Sequence, residues 1–136
     1  MNRNTKEYIK QWILKANEDI LVVEKLTESG IFAASSACFH CQQAVEKFLK
    51  AFLFAIGVEI RKTHNIEFLL SECMEIDSDF AAIEPNNLSD FGVDVRYPGD
   101  IYIPSDKETI EYKENALEDS ERAKKYFGTN YKLNIS

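Results

Sequence analysis

The chain has 136 residues, of which 45% are hydrophobic and 29% are charged, and its formal net charge is -7. This size and composition predict one folded domain spanning residues 1–136, with its core over about residues 8–127, and exclude a disordered chain. The negative charge excludes an extensive nucleic-acid surface, because such a protein repels a phosphate backbone over most of its surface. Any contact with a nucleotide or RNA must therefore come from a local basic patch.

The cysteines and the apolar segments predict a cytoplasmic protein. The chain has an odd number of cysteines, namely Cys38, Cys41 and Cys73. Two of them lie in an apolar helical pattern, where a small buried thiol is expected. The first residues, MNRNTKEYIKQW, contain no continuous apolar segment. The longest apolar stretch, AFLFAIGV, is much shorter than the roughly 18 residues of a membrane span, so no membrane segment is expected.

A first amphipathic helix is predicted from Thr5 to about Thr27, because apolar residues recur there at intervals of three and four. The stripe consists of Ile9, Ile13, Ala16, Ile20 and Val23. Gly30 suits a helix C-cap, and the short gap that it leaves predicts an antiparallel hairpin with the next helix.

A second helix is predicted from about Ile31 to Ile56, ending at Gly57. With about 100° per residue, one arc of this helix is apolar and forms the predicted core face. This face contains Ala34, Ala37, Cys38, Cys41, Ala44, Val45, Phe48, Ala51, Phe52 and Ile56.

The other side of the second helix carries polar residues. They are Gln43, Lys47 and Lys50, with His40 at the edge. Three aromatic residues share this side, namely Phe32, Phe39 and Phe54. We expect either the rest of the domain or a second copy of the chain to cover these rings.

Further helices follow Gly57. Thr63 or Asn65 can cap a short helix that turns Ile66, Leu69, Leu70 and Cys73 inward. Another helix is expected from Asp79 to about Val95, interrupted near Pro85, and the segment RYPGD must leave it. A last amphipathic helix is predicted from Asp106 to about Phe127, so the fold class is all-α.

Several kinds of site are disfavoured by the sequence. No glycine-rich loop of the Walker or dinucleotide type is present. Cys38, His40, Cys41 and His64 do not complete a tetrahedral zinc set, and neighbouring Cys41 and His40 point about 100° apart on a helix, which disfavours a nucleophile and base pair. We therefore predict neither a metal nor a cofactor.

His40, Gln43, Lys47 and Lys50 form the best candidate site, because an imidazole, an amide and two ammonium groups on one face can hold a phosphate or a base edge. A structural explanation stays open. Lys50 can pair with Glu46, and Lys47 lies one turn from Gln43, so a solvated face that satisfies its own groups accounts for much of the row.

His64 and Arg96 also have ordinary structural roles available. His64 lies at a helix start, where it can act as a cap, and Arg96 can pair with Asp90, Asp94 or Asp100.

Four segments taken in order, ANEDILVVEKL, GIFAASSACFHCQQAVEKFLKAFL, HNIEFLL and RYP, resemble the HEPN domain family, which is named for higher eukaryotes, prokaryotes and presumed nucleotide binding. The resemblance covers about residues 8–127. It implies an up-and-down bundle of four or five helices, similar to the C-terminal domain of kanamycin nucleotidyltransferase and usually dimeric. A dimer would also cover the surplus aromatic residues of the second helix.

The same resemblance implies two functional classes. Many members are metal-independent ribonucleases whose dimer joins two R-x(4-6)-H motifs, and others lack the motif and accompany a minimal nucleotidyltransferase. This sequence lacks it, since Arg61 precedes His64 by three positions and Ile101, Tyr102 and Ile103 occupy the window after Arg96. Ribonuclease chemistry would need His64 and Arg96 to converge through folding or across a dimer.

Three hypotheses follow. The first is a non-catalytic HEPN-type binding module, a homodimer that binds a nucleotide or pairs with a minimal nucleotidyltransferase, as in a toxin-antitoxin pair. Its ligand-binding residues would be His40, Gln43, Lys47, Lys50, His64, Arg96 and Tyr97. The second is a ribonuclease toxin using His64 and Arg96, and the third is a dimeric scaffold without a ligand.

Overall fold

Four helices make up the part of the chain that the computed structural model describes, which comprises residues 3–28, 33–57, 65–78, 80 and 104–130. They are α1 (Arg3–Glu28), α2 (Ala34–Ala55), α3 (Ile66–Ile76) and α4 (Asp106–Asn130). These ranges contain no strand, and the predicted all-α class is confirmed. Apart from Phe80, the helix expected from Asp79 to Val95 and the segment RYPGD lie outside the described residues.

Local signals in the sequence set several helix ends. Gly57 ends α2 with a positive φ of 83°, a conformation that glycine adopts without a steric penalty, and its amide donates to the Phe54 carbonyl over 3.1 Å. Asn65 caps α3, since its side-chain oxygen accepts from the Phe68 amide over 2.9 Å.

A reciprocal capping box starts α4. The Glu108 amide donates to the Ser105 hydroxyl, and the Ser105 amide donates to the Glu108 carboxylate, each over 3.1 Å. Asp106 and Glu108 also place negative charge in the first turn, where the helix dipole favours it.

The contacts between the long helices fix their directions. The Tyr8 ring lies 4.4 Å from the Phe54 ring, and Asp19 contacts His40, so α1 and α2 are antiparallel, as the hairpin prediction requires. The Cys38 thiol approaches the Thr109 hydroxyl, and the Phe52 ring lies 5.1 Å from the Tyr126 ring. α4 therefore runs parallel to α2.

The α2 helix lies at the centre of the core. Nearly all of its predicted core face is buried, with Ile56 half-buried, and Leu49 and Leu53 are buried as well although they lie beyond that face. α3 covers this further side, where the Cys73 thiol donates to the Leu49 carbonyl over 3.8 Å. The core is thus wider around α2 than the apolar arc of the sequence predicts.

Two of the three surplus aromatic residues are covered within the chain itself. Phe39 and Phe54 are half-buried and pack against the core, and Phe54 also contacts Tyr8. Phe32 lies outside the described residues. Coverage of Phe39 and Phe54 therefore does not require a second copy of the chain.

None of the described helices is both long enough and apolar enough to span a membrane.

Candidate functional site

The four polar residues predicted on α2 separate into two groups. His40 and Lys47 converge on Asp19 of α1, while Gln43 and Lys50 join a chain of side chains along α2 itself. The four residues that helical spacing places in one row therefore belong to two separate groups of contacts with different surroundings.

The first group, the Asp19 cluster, consists of Asp19, His40 and Lys47 and links α1 to α2. His40 Nδ1 lies 2.8 Å from one carboxylate oxygen of Asp19, and the Lys47 ammonium donates to the other oxygen over 2.5 Å. Asp19 is buried, with 7% of its surface exposed, whereas His40 and Lys47 are half-buried. A single carboxylate thus holds both side chains.

The contact with Asp19 determines how His40 presents its ring. Because a carboxylate accepts hydrogen bonds, Nδ1 must carry the proton, and in the neutral ring Nε2 is left as an acceptor. Nε2 has no partner among the described residues, and 29% of the His40 side chain is exposed. His40 can therefore accept a hydrogen bond or a proton from a group outside the cluster.

Lys47 does not provide a free positive charge. The Lys47 side chain is 21% exposed, and its ammonium forms an ion pair with a carboxylate that is itself shielded from water. With the imidazole neutral, the charges of Asp19 and Lys47 cancel. The Asp19 cluster therefore attracts a phosphate group much less than two free cations would.

The second group, the α2 ladder, consists of Gln42, Glu46 and Lys50 with Gln43 attached. Lys50 donates to Glu46 over 3.1 Å, the Gln42 amide lies 3.5 Å from the second Glu46 oxygen, and the Gln43 amide donates to Gln42 over 2.6 Å. Gln42, Glu46 and Lys50 are all buried. The expected pairing of Lys50 with Glu46 is present, but it lies in the interior and not on a solvated face.

Asp19 was not among the site residues predicted from the sequence, because its neighbours have the pattern of an ordinary amphipathic helix. Its position continues the buried stripe of α1, between Ala16 and Val23 at intervals of three and four. A carboxylate in a stripe of buried residues requires a partner, and that was the available signal. The partner itself could not be read from α1 alone.

Other predicted site residues fall elsewhere. His64, Arg96 and Tyr97 lie outside the described residues, as does Arg61. The convergence of His64 with Arg96 therefore stays a prediction. Among the described residues, the half-exposed candidates are His40, Gln43 and Lys47.

The three cysteines are not candidates for chemistry. Burial raises the pKa of the Cys38 thiol to about 11 and that of Cys73 to about 12, and it also raises the pKa of Cys41. All three are completely buried and free of disulfides. Protonated thiols without solvent access are weak nucleophiles and weak metal ligands.

Comparison with known proteins identifies the family. The model of the HEPN domain family matches residues 9–129, which is most of the chain. Neither the curated proteins nor the solved structures gave a match. The segments that carry the resemblance and the helical fold agree with the family match, and the chain belongs to the HEPN domain family.

Proposed function

We propose that this HEPN domain is a non-catalytic binding module that forms a homodimer in the cytoplasm and pairs with a minimal nucleotidyltransferase. One observation carries the proposal: both lysines in the described part of α2 are neutralised within the chain, Lys47 by Asp19 and Lys50 by Glu46. A helix whose charges are already paired is better suited to protein recognition than to a polyanion.

Two further observations favour a binding role. The sequence lacks the R-x(4-6)-H motif that the ribonuclease members of the family use. The net charge of -7 also disfavours a long nucleic acid as the ligand. Protein surfaces are recognised mainly through apolar contacts and matched hydrogen bonds, and these do not require an excess of positive charge.

A nucleotide is the second ligand of the proposed module. The Nε2 of His40, which has no partner in the part of the chain that the structure describes, can accept a hydrogen bond from an amino or hydroxyl group, such as the edge of a base. Gln43 lies nearby on the same helix and is half-buried. The proposed ligand-binding set also includes His64, Arg96 and Tyr97. Lys50 belongs to the set as well, but its ammonium is already paired with Glu46.

The partner is tested by co-expression with a minimal nucleotidyltransferase from the same genome, taken from a neighbouring gene where one exists. We expect one complex in size-exclusion chromatography with light scattering, containing both chains in fixed ratio. Separate elution of two well-folded proteins at tens of micromolar would remove this partner.

The nucleotide is tested by isothermal titration with ATP and GTP. Replacement of His40 by Ala should weaken binding at least about tenfold if Nε2 makes a direct hydrogen bond. The matched control is Lys125→Ala, an exposed residue of α4 that lies outside the Asp19 cluster. Absence of heat at millimolar nucleotide would reject nucleotide binding and leave the protein partner.

A metal-independent endoribonuclease is the second candidate, favoured by the orientation of His40. Asp19 holds the imidazole so that Nε2 has no partner among the described residues, and a general base requires such an available nitrogen. Such an enzyme would cleave RNA in the presence of EDTA. The single variant His40→Ala should abolish cleavage, and so should the double variant His64→Ala/Arg96→Ala. Intact RNA after incubation with the wild-type protein would reject this candidate.

A further inference from the structure

The outer face of α1 has the pattern of a helix that packs against another helix. Residues spaced alternately by three and four are all exposed along its length, and they are Glu7, Gln11, Leu14, Glu18, Leu21, Lys25 and Glu28. At the centre of this outer seam, Leu14 and Leu21 are 61% and 55% exposed, although both are large and apolar. The seam covers the side of α1 that faces away from α2.

Charge is distributed unevenly along α1. In the first half of the helix, Lys6, Lys10 and Lys15 outnumber Glu7. In the second half, Glu18, Glu24 and Glu28 outnumber Lys25, since Asp19 is buried in its own ion pairs. The helix is therefore basic at one end and acidic at the other, and a helix of the same sequence complements it when it runs in the opposite direction.

An antiparallel copy of α1 satisfies these charges one by one. Such an arrangement places opposite charges against each other in four pairs, namely Lys6 with Glu28, Lys10 with Glu24, Lys15 with Glu18, and Glu7 with Lys25. The midpoints of all four pairs fall between Ala16 and Asn17, so one two-fold axis accounts for them together. Around the helix, the two members of each pair also point in directions within about 60° of each other, as antiparallel packing requires.

The same axis brings the exposed leucines together. Leu14 lies close to the level of Leu21 in the second copy, so two Leu14 and Leu21 contacts flank the axis. Antiparallel alignment also pairs each helix end with an end of opposite dipole. A parallel arrangement would instead place each charge of the seam against an identical charge, which is destabilising.

We propose that the outer seam of α1 binds the outer seam of a second copy of this chain, in antiparallel orientation, about a two-fold axis between Ala16 and Asn17. The inference deepens the proposed function, since it rests on the homodimer and names its surface. It places the contact on α1, which differs from the sequence-based expectation of a second copy over the aromatic residues of α2.

The first test measures the mass of the full chain by light scattering over a range of concentrations. The variant Leu14→Glu/Leu21→Glu should raise the dimer dissociation constant by at least about a hundredfold, because two apolar side chains lose their contacts. The matched control is Ile76→Glu, which introduces the same charge at a residue of α3 that is 53% exposed. Circular dichroism should show equal helix content in all three proteins.

The second test determines orientation by crosslinking single engineered cysteines with a short bismaleimide at pH 7.5. The native thiols are buried and protonated, so the engineered thiol reacts selectively. Glu18→Cys lies beside the proposed axis and should give a covalent dimer. Lys25→Cys should not, because the axis separates its two copies by about 24 Å along the helices.

The outcomes separate this inference from the function on which it rests. A dimer that tolerates both glutamates, or that crosslinks equally through both cysteines, overturns the proposed seam while the dimeric module stands. A wild-type monomer at hundreds of micromolar rejects the seam and the dimer together. Pairing with the nucleotidyltransferase is measured separately, so its failure leaves the result on α1 unchanged.

Discussion

Two polar groups on the same helix have opposite relations to solvent. The α2 ladder of Gln42, Glu46 and Lys50 is buried, and its ion pair lies along one helix. The Asp19 cluster joins two helices and leaves an imidazole nitrogen of His40 without a partner among the described residues. Both groups contain a lysine and a carboxylate, so residue type alone does not separate structure from a candidate site.

Burial separates the group that stabilises the fold from the group that can contact a ligand. A buried ion pair offers no atoms to a ligand, and its removal is expected to affect the free energy of unfolding. A cluster with one shielded carboxylate and two half-buried partners can hold a side chain in place for a ligand.

Replacement of Lys50 by Met should lower the free energy of unfolding by about 3–5 kcal/mol, because the Glu46 charge stays buried without its ammonium partner. Urea denaturation measures the change. The double variant Lys50→Met/Glu46→Gln removes both charges and should recover most of the loss. A loss below about 1 kcal/mol in the single variant would show that solvent reaches this pair and would contradict the burial of the α2 ladder.

The variant Asp19→Asn should lower the free energy of unfolding by roughly 1.5–3 kcal/mol, since Lys47 and His40 lose a charged acceptor in a shielded position. The loss is smaller than for Lys50 because both partners reach water. Glu75→Gln is the control, an exposed acid of α3 that should change stability by less than about 0.5 kcal/mol. Equal losses of stability in both variants would contradict the role of Asp19 as the shielded acceptor for His40 and Lys47.

The apolar side of α2 provides a test by pH. Burial raises the pKa of Cys38 to about 11, so this thiol stays protonated in the folded chain while the unfolded chain ionises near pH 8.5. The contribution of the protonated Cys38 thiol to the free energy of unfolding is complete well below pH 8.5. It is lost as the pH rises toward 11. A change from pH 8.5 to 9.5 should cost about 1 kcal/mol for this thiol.

Urea denaturation at both pH values measures this loss, with Cys38→Ala as the control. The variant should lose less stability between the two pH values than the wild-type protein does. An identical pH dependence in the two proteins would contradict a buried, protonated Cys38.

The smallest expected effect concerns an exposed polar residue at the start of α3. Asn65→Ala should lower the free energy of unfolding by about 1 kcal/mol, because the Phe68 amide loses its cap. Thermal denaturation compares it with Ser71→Ala, a further exposed residue of α3 whose hydroxyl contacts a helix carbonyl. A larger loss at Ser71 than at Asn65 would contradict the assigned cap.

Much of the fold was predictable because local chemistry controls it. The apolar stripe of α1, the end of α2 at Gly57 and the cap at Asn65 all follow from neighbouring residues. The interior position of Lys50 was not predictable from helical spacing. Its surroundings are set by other elements, and α2 is covered on more sides than its apolar arc indicates.

By itself, the sequence determined the helical class, the hairpin of α1 and α2, the pairing of Lys50 with Glu46 and the resemblance to the HEPN family. All of these depend on residues close together in the chain or on a recognisable order of motifs. Only the tertiary structure decided that Asp19 would bind His40 and Lys47. That contact joins residues on two neighbouring helices, 21 and 28 positions apart in the chain. Its formation depends on how α1 and α2 pack and on how much water the packing excludes.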